Sequence, residues 1–560
     1  MLKEPIPELT DELYLDFSRT GNRSRCQRVM AARHRRVSVL VMAECLENRG
    51  RFLPAIEEAL RAVCSEKTWV MPAHDRRLRN FRGEVNEIDL QVAGLSWELA
   101  TVLSWLGDRL SQDVRTLVSS ELERRTFRPL EHAVRTGQPR LWWLTGTNNW
   151  NAVCLAGTTG AALATIESTE RRAFFVAAAE KAIRNFLSGF TPDGYCSEGI
   201  GYWNYGFGHF VLLAETLFQA TQGKLDLLQL DPKIKSVALY GHRMEITPGV
   251  YPAFADCHVG AEPAAWIMGW LSRRLGLGLR EVEKRGLALD WKRSYPLFAV
   301  GLMGFPNSAS RHPSAASGAD RHALRDWFPV AGVLICRLSA GKTPFGVAMK
   351  GGHNAEHHNH NDVGSFVVAV GGHAPLVDPG SEVYTRRTFS SRRYESKVLN
   401  SFGHPVPVVA GRLQRSGRSA AAKVLRAEFT DAADTLVLDL RAAYPVSGLK
   451  ILQRTFICSR QDGGRLTVVD QVAFTTKQTF GTALITFEKW RQTDSKKLLI
   501  GEGSDAVSVE IDAGGVPFRV HGEMIDEDLS DGRKPTRIGI DCVAPVQAAT
   551  IRLTIRPARL

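Results

Sequence analysis

PNSASRHPSAASGADRHA, residues 306–323, is rich in Ser, Ala, Pro and Gly and carries neither helical nor strand periodicity. That is the composition of a connecting segment. It separates two halves that read differently. Upstream, from about Asp11 to Phe305, apolar residues recur at helical spacing. LSWELATVLSWLGDRLSQDVRTLVSSEL (95–122) sets Leu95, Leu99, Leu103, Leu106 and Leu110 three or four apart. ERRAFFVAAAEKAIRNFL (170–187) does the same with Phe174, Ala178, Ala182 and Phe186. Downstream the pattern becomes short and alternating, as in VLICRLS (333–339), SFVVAVGG (365–372), TLVLDLRAAY (435–444), RLTVVDQVAF (465–474) and ATIRLTIRP (549–557). Such runs, spaced by turn residues, predict a large antiparallel sandwich. The expectation is an all-α domain over 1–305, a linker over 306–326 and an antiparallel β domain over 327–560.

With 560 residues, 44% of them hydrophobic and 23% charged, the chain reads as globular rather than disordered or fibrous. No run of about 18 apolar residues predicts a membrane-spanning helix. The 71 Lys and Arg against 59 Asp and Glu give +12, which favours a polyanionic partner: nucleic acid, anionic lipid or an acidic polysaccharide. Dispersed basic residues and the lack of a nucleic-acid-binding motif argue against the first. Nine cysteines without Cys-x-x-Cys spacing predict scattered thiols rather than a disulfide framework. The start, MLKEPIPELTDELYLDF, has no basic segment followed by an apolar one, so no export signal is read there.

Two regions concentrate chemistry. Six of the fifteen histidines fall between 353 and 404, centred on GGHNAEHHNHNDVGSF (351–366). His358, His360 and Asp362 alternate, and an extended backbone points all three to one side. Imidazole there suits either metal ligation or proton transfer. Asp378 in PLVDPGS and His404 in NSFGHPVP would complete a set of two nitrogens and one oxygen with His360, a donor set suited to Zn²⁺. A solvated histidine-rich loop is the alternative. In the helical half, TGTNNWNAVCLAG (145–157) offers Asn148, Asn149 and Asn151, and DGYCSEGIGYWNYGFGHF (193–210) offers Glu198, Tyr202, Tyr205 and His209. The amides equally suit a helix cap. Trp143, Trp150 and Trp203 either pack helices or line a groove where sugar faces stack. Arg386, Arg387, Arg392 and Arg393 form a basic run that pairs carboxylate or sulfate if it faces such a groove. Asp256 and His258, in YPAFADCHVG (251–260), lie in an unusual loop expected to line it.

Taken together, HNHNDVGSF followed by VDPGSEVY, after a helical half carrying NNWN and DGY…EGxGYWxYG, resembles the heparinase II/III-like polysaccharide lyases from about residue 30 onward. The resemblance implies an N-terminal incomplete (α/α) toroid followed by an antiparallel β-sandwich. It implies β-elimination on a uronate-containing acidic polysaccharide, a glycosaminoglycan or alginate, leaving a 4,5-unsaturated sugar. By position, Asn149 matches the residue that neutralises the uronate carboxylate, with Asn148 or Asn151 as alternates. Tyr202 matches the acid for the leaving oxygen, with Tyr205 as alternate, and His358 matches the histidine that reaches in from the β domain. Trp150, Glu198, Trp203, Arg392 and Arg393 are expected to bind substrate. His360, Asp378 and His404 match the ligands of a structural Zn²⁺. The family resemblance implies a periplasmic or secreted protein; the unled N-terminus, if complete, implies a cytoplasmic one. Two other readings stay open: a metal-dependent glycan hydrolase, and a non-enzymatic protein that binds acidic glycans.

Overall fold

The structure, a computed structural model, describes residues 2–284, 296–304, 322–339 and 343–558. The first half is helical. Its centre is the contact between Leu90–Leu106 and Asn149–Thr165, two strongly apolar helices. Both are buried nearly all round, so neither shows a narrow amphipathic stripe. They approach closely because two residues of the second helix lack a side chain. A Cβ on Gly157 would lie 2.3 Å from the Ala93 carbonyl oxygen, and one on Gly160 would lie 2.1 Å from Trp97 Cε2. Trp97 in turn stacks on Phe298 with ring centroids 4.1 Å apart.

Within residues 95–122, Gly107 takes φ 47° and ends one helix before Gln112–Leu122 begins. One sequence expectation shifts by a small amount. In Thr169–Ser188 the buried face runs through Phe175, Ala179, Ala182, Ile183 and Phe186, one residue on from the expected Phe174 and Ala178.

The second half is antiparallel throughout. A five-stranded meander runs Arg325–Phe328, Val333–Ser339, Phe345–Lys350, Phe366–Val370 and His373–Leu376. It faces an eight-stranded sheet whose centre is Val546–Pro557, Arg465–Gln478 and Leu449–Ser459. A four-stranded sheet adds Phe518–Met524, Thr536–Cys542, Phe480–Thr486 and Val408–Val409. The period-two side-chain alternation explains how the halves join. Leu334, Cys336, Val347 and Val368 point into the sandwich core with Leu436, Phe456 and Leu553. Their neighbours Val333, Ile335, Ala348 and Val367 point the other way, into the helical core. The meander is therefore buried on both faces, and the helical half is packed onto it.

Residues 306–321 of the expected linker lie outside the described residues. Its last two, Arg325 and Asp326, already belong to the first strand. No described helix is long and apolar enough to cross a membrane. All nine cysteines are free thiols, and Cys45 alone is exposed.

Candidate active site

Side chains from both halves line a single cleft of about 1720 Å³. The helical half supplies two segments. Asn148 caps the helix Asn149–Thr165, its Oδ1 accepting the Trp150 N–H at 3.2 Å, and this turn holds Asn148, Asn149 and Trp150 against the cleft. The glycine-rich segment forms a short helix, Gly199–Tyr202, which widens into a π-helical stretch, Trp203–Phe207, before the helix Gly208–Ala220. Such widening re-aims neighbouring side chains and recurs at functional sites. Tyr202 and Tyr205 line the cleft from here. Gly206 lets the segment lie on Asn149, since a Cβ there would come within 3.0 Å of the Asn149 Cβ.

The β half supplies the histidine loop. Tyr202 stacks on His358 with ring centroids 4.0 Å apart and planes at 24°. Asn149, Tyr202 and His358 thus face one cleft, although the second and third are separated by more than 150 residues of chain. The loop is not a strand. His358 sits in the left-handed region at φ 55°, which breaks the expected alternation. His358 and His360 both turn to Asp256, while Asp362 turns to Lys350 Nζ at 2.8 Å.

Asp256 is the hub. Its Oδ2 pairs with His358 Nδ1 at 2.6 Å and accepts from the Tyr384 hydroxyl at 3.0 Å. Its Oδ1 pairs with His360 Nε2 at 2.9 Å and accepts from an Arg393 guanidinium N–H at 2.7 Å. Burial alone would raise this carboxyl, but the bonds from His358 and His360 and the charge of Arg393 hold it well below the usual carboxylate range. Tyr384 also bonds Tyr202 through their hydroxyls at 2.7 Å. With His358 Nδ1–H given to Asp256, the lone pair lies on Nε2, a tautomer fixed by the hydrogen-bond network. That nitrogen lies 3.6 Å from Glu198 Oε2. Burial pushes the Glu198 carboxyl up to about 7, with His358 and the Asn149 N–H pulling part of the way back. Burial likewise pushes the Tyr202 phenol above its ordinary value, so it stays protonated at neutral pH.

His360, Asp378 and His404 are 0, 1 and 0% exposed, and one ligating atom from each lies within 4.8 Å of the others. His404 Nδ1 meets Asp378 Oδ2 at 2.9 Å, and Ser365 donates to the same oxygen at 2.8 Å. His360 Nδ1 and His404 Nε2 are buried with no hydrogen-bond partner. Two orphaned imidazole nitrogens beside a buried carboxylate are a donor set that fits a divalent transition metal. Asp256 on the far nitrogen of His360 supplies the outer carboxylate that orients a ligating imidazole.

Several expected substrate contacts are corrected. Asn151 is fully buried, and its amide donates to the Trp143, Leu144 and Ala182 carbonyls, so it ties helices together. Trp203 is also fully buried, its indole N–H bound to the Val237 carbonyl, and Trp143 is likewise spent on Ile88. Arg392 is exposed outside the cleft and pairs with Glu395. Arg393 does line the cleft, but its donors go to Asp256 and to the Asn359 and Thr388 carbonyls, making it a clamp.

Three further residues, to which no sequence motif assigns a role, belong here. Asp256 is expected at the cleft from its loop alone, and Tyr384 closes VDPGSEVY. Arg23 carried no motif. Its guanidinium lies 5.7 Å from the Tyr384 ring centre and 5.4 Å from that of Phe389, and its side-chain hydrogen bond goes to His74 Nε2 at 3.4 Å. His74 is braced by Asp89 at 2.7 Å and packs on Trp150, which packs on Trp142. Among the described residues no carboxylate forms a direct ion pair with Arg23, which lines the cleft and feels Asp89 at longer range.

Residues 321–532 match the family model described as heparinase II/III-like, C-terminal. No curated protein matches the chain. Among solved structures, the heparinase III BT4657 gene product aligns at TM-score 0.64 with 12% identity, over 98% of this chain and 81% of that one. A second heparinase III aligns at 0.63 with 14% identity, over 94% and 76%. The heparan sulfate lyase HepC from Pedobacter heparinus aligns at 0.59 with 12% identity, over 100% and 84%. The helical half followed by antiparallel β-sheets is thus the fold of these proteins across the whole chain.

Proposed function

We propose that this chain, whose β half matches the heparinase II/III-like C-terminal domain, is a polysaccharide lyase that cleaves a uronate-containing acidic glycan by β-elimination. The observation that carries the reading is the stacked pair of Tyr202 and His358, with Asn149 beside them in one cleft. The proton at C5 of a uronate is weakly acidic next to an anionic carboxylate. Donors already in place must neutralise that carboxylate and the charge that develops on it. The Asn149 amide and the Arg23 guanidinium, both lining the cleft, supply those donors. Glu198, its carboxyl pushed up to about 7 by burial, carries less negative charge there than an exposed carboxylate would. His358 Nε2, its other nitrogen held by Asp256, takes the C5 proton. Tyr202, kept neutral by burial, gives its proton to the leaving 4-oxygen and recovers one through Tyr384.

Zn²⁺ would be held by His360, Asp378 and His404 and would supply a fixed charge that pins the loop carrying His358. The group is fully buried and does not line the cleft, so its burial disfavours the hydrolase reading, in which metal-bound water reaches the glycosidic bond.

The names of the structural neighbours point first to heparan sulfate as substrate, ahead of hyaluronan, chondroitin or alginate. The test is to incubate the purified protein with each polymer and follow ultraviolet absorbance, because elimination leaves a C=C bond conjugated with the carboxylate. Tyr202→Phe should abolish the rise while leaving the fold intact. New reducing ends without absorbance would show hydrolysis, and tight binding without cleavage would show a glycan-binding protein.

A further inference from the structure

A second group of metal-ligating side chains lies where the two halves join, away from the cleft. His242 is in the short helix Tyr240–Arg243, and Glu245 follows three residues on. His322 approaches from the other half, just before the strand Arg325–Phe328. Its Nε2 lies 2.6 Å from Glu245 Oε2, and its ring stacks on His242 with centroids 4.1 Å apart. One ligating atom from each of the three lies within 4.8 Å of the others. His322 Nδ1 is buried and has no hydrogen-bond partner. Tetrahedral Zn²⁺ places its ligand atoms about 3.4 Å apart, so small side-chain rotations close the set.

The backbone on both sides is already held. Arg243 donates to Asp326 Oδ1 and to the Trp327 carbonyl, each at 3.0 Å. Arg337 donates to the Glu245 carbonyl at 2.6 Å and to Asp326 Oδ2 at 2.8 Å. The two guanidiniums are therefore turned to Asp326 and to carbonyls rather than to the three side chains.

We propose that His242, Glu245 and His322 form a second divalent-metal site, suited to Zn²⁺ by its two nitrogens and one carboxylate, that staples the helical half to the β half. With three protein donors, all of them only half-buried, water would complete the fourth position. The site stands apart from the reaction proposed above, so neither depends on the other.

The test uses the full chain, stripped with a chelator and dialysed against Zn²⁺, with bound zinc measured per chain. Wild type is compared with His322→Ala and Glu245→Gln. Each variant should hold one equivalent less than wild type, with zinc affinity at the junction reduced at least 100-fold. His404→Ala should keep the junction ion, and Zn²⁺ should raise its Tm. Glu245→Gln keeps the shape of the side chain, so it reports even if His322→Ala does not fold. Wild-type stoichiometry in both variants, or no zinc in wild type, overturns the proposal.

Discussion

Changing Asp256 to Asn keeps the shape of the side chain and removes its charge. The carboxylate accepts four bonds, two at each oxygen: His358 and Tyr384 at Oδ2, His360 and Arg393 at Oδ1. An amide has only one acceptor oxygen. Flipped one way, its NH₂ opposes His358 and Tyr384; flipped the other, it opposes His360 and Arg393. In either case the half-buried Arg393 guanidinium loses its counter-charge, because its other bonds go to main-chain carbonyls. Removing one partner of a buried pair costs about 3–5 kcal/mol. The sign with pH follows from the depressed carboxyl. A group held below its unfolded value contributes stability above that value and loses it as pH falls. The gap between wild type and Asp256→Asn should therefore be full at neutral pH and shrink below about pH 4. His358 also loses the acceptor that orients it, so kcat should fall about 10²–10⁴-fold with KM little changed. Urea unfolding followed by tryptophan fluorescence measures the first effect, and ultraviolet absorbance with heparan sulfate the second. A variant within about 0.5 kcal/mol of wild-type stability and within twofold of its rate would refute the role given to Asp256.

Arg23→Ala should raise KM for uronate polymers by about tenfold or more, one lost charge-assisted contact, with Arg23→Lys recovering part of it; an unchanged KM would remove Arg23 from the substrate site. Gly160→Ala gains about 1 kcal/mol of helix propensity but drives its Cβ to 2.1 Å from Trp97. Overpacking of that kind costs about 1–3 kcal/mol, so the net effect should be a lower Tm, and an unchanged Tm would show that the two central helices can separate without loss. Glu98 is buried against Ser38 and the Leu297 N–H, and burial pushes its carboxyl up to about 7. A carboxyl raised on folding adds stability at low pH that is lost as pH climbs from about 4.5 to 7, here up to about 3 kcal/mol. Glu98→Gln should flatten that decline, and parallel pH–stability curves for the two proteins would rule it out.

How far the sequence could be read follows from the range of each signal. Helical and strand periodicity are local, so the switch from one half to the other shows on either side of residues 306–323. The same locality limits detail. Which of Phe174 or Phe175 faces inward depends on the neighbouring helix, not on the spacing alone. NNWN and GYWNY place Asn149 and Tyr202 in the cleft, but nothing in them says that Asn151 and Trp203 are spent on carbonyls of adjacent helices. Arg392 and Arg393 are adjacent and identical in type, yet one pairs with Glu395 in solvent and the other with the buried Asp256. Burial separates them, and burial belongs to the tertiary structure.

Asp256 shows the limit most clearly. It lies in the helical half, while His358, His360, Tyr384 and Arg393 all come from the β half. A carboxylate buried by itself is strongly disfavoured, and so is a buried guanidinium. Neither half can therefore bury its share of this network without the other. The imidazole proposed as base acquires its orientation only when the halves are packed together. Any substitution that loosens the packing of Val333, Ile335 or Val367 on the helical core should then reach the reaction through Asp256, lowering kcat before it unfolds the chain.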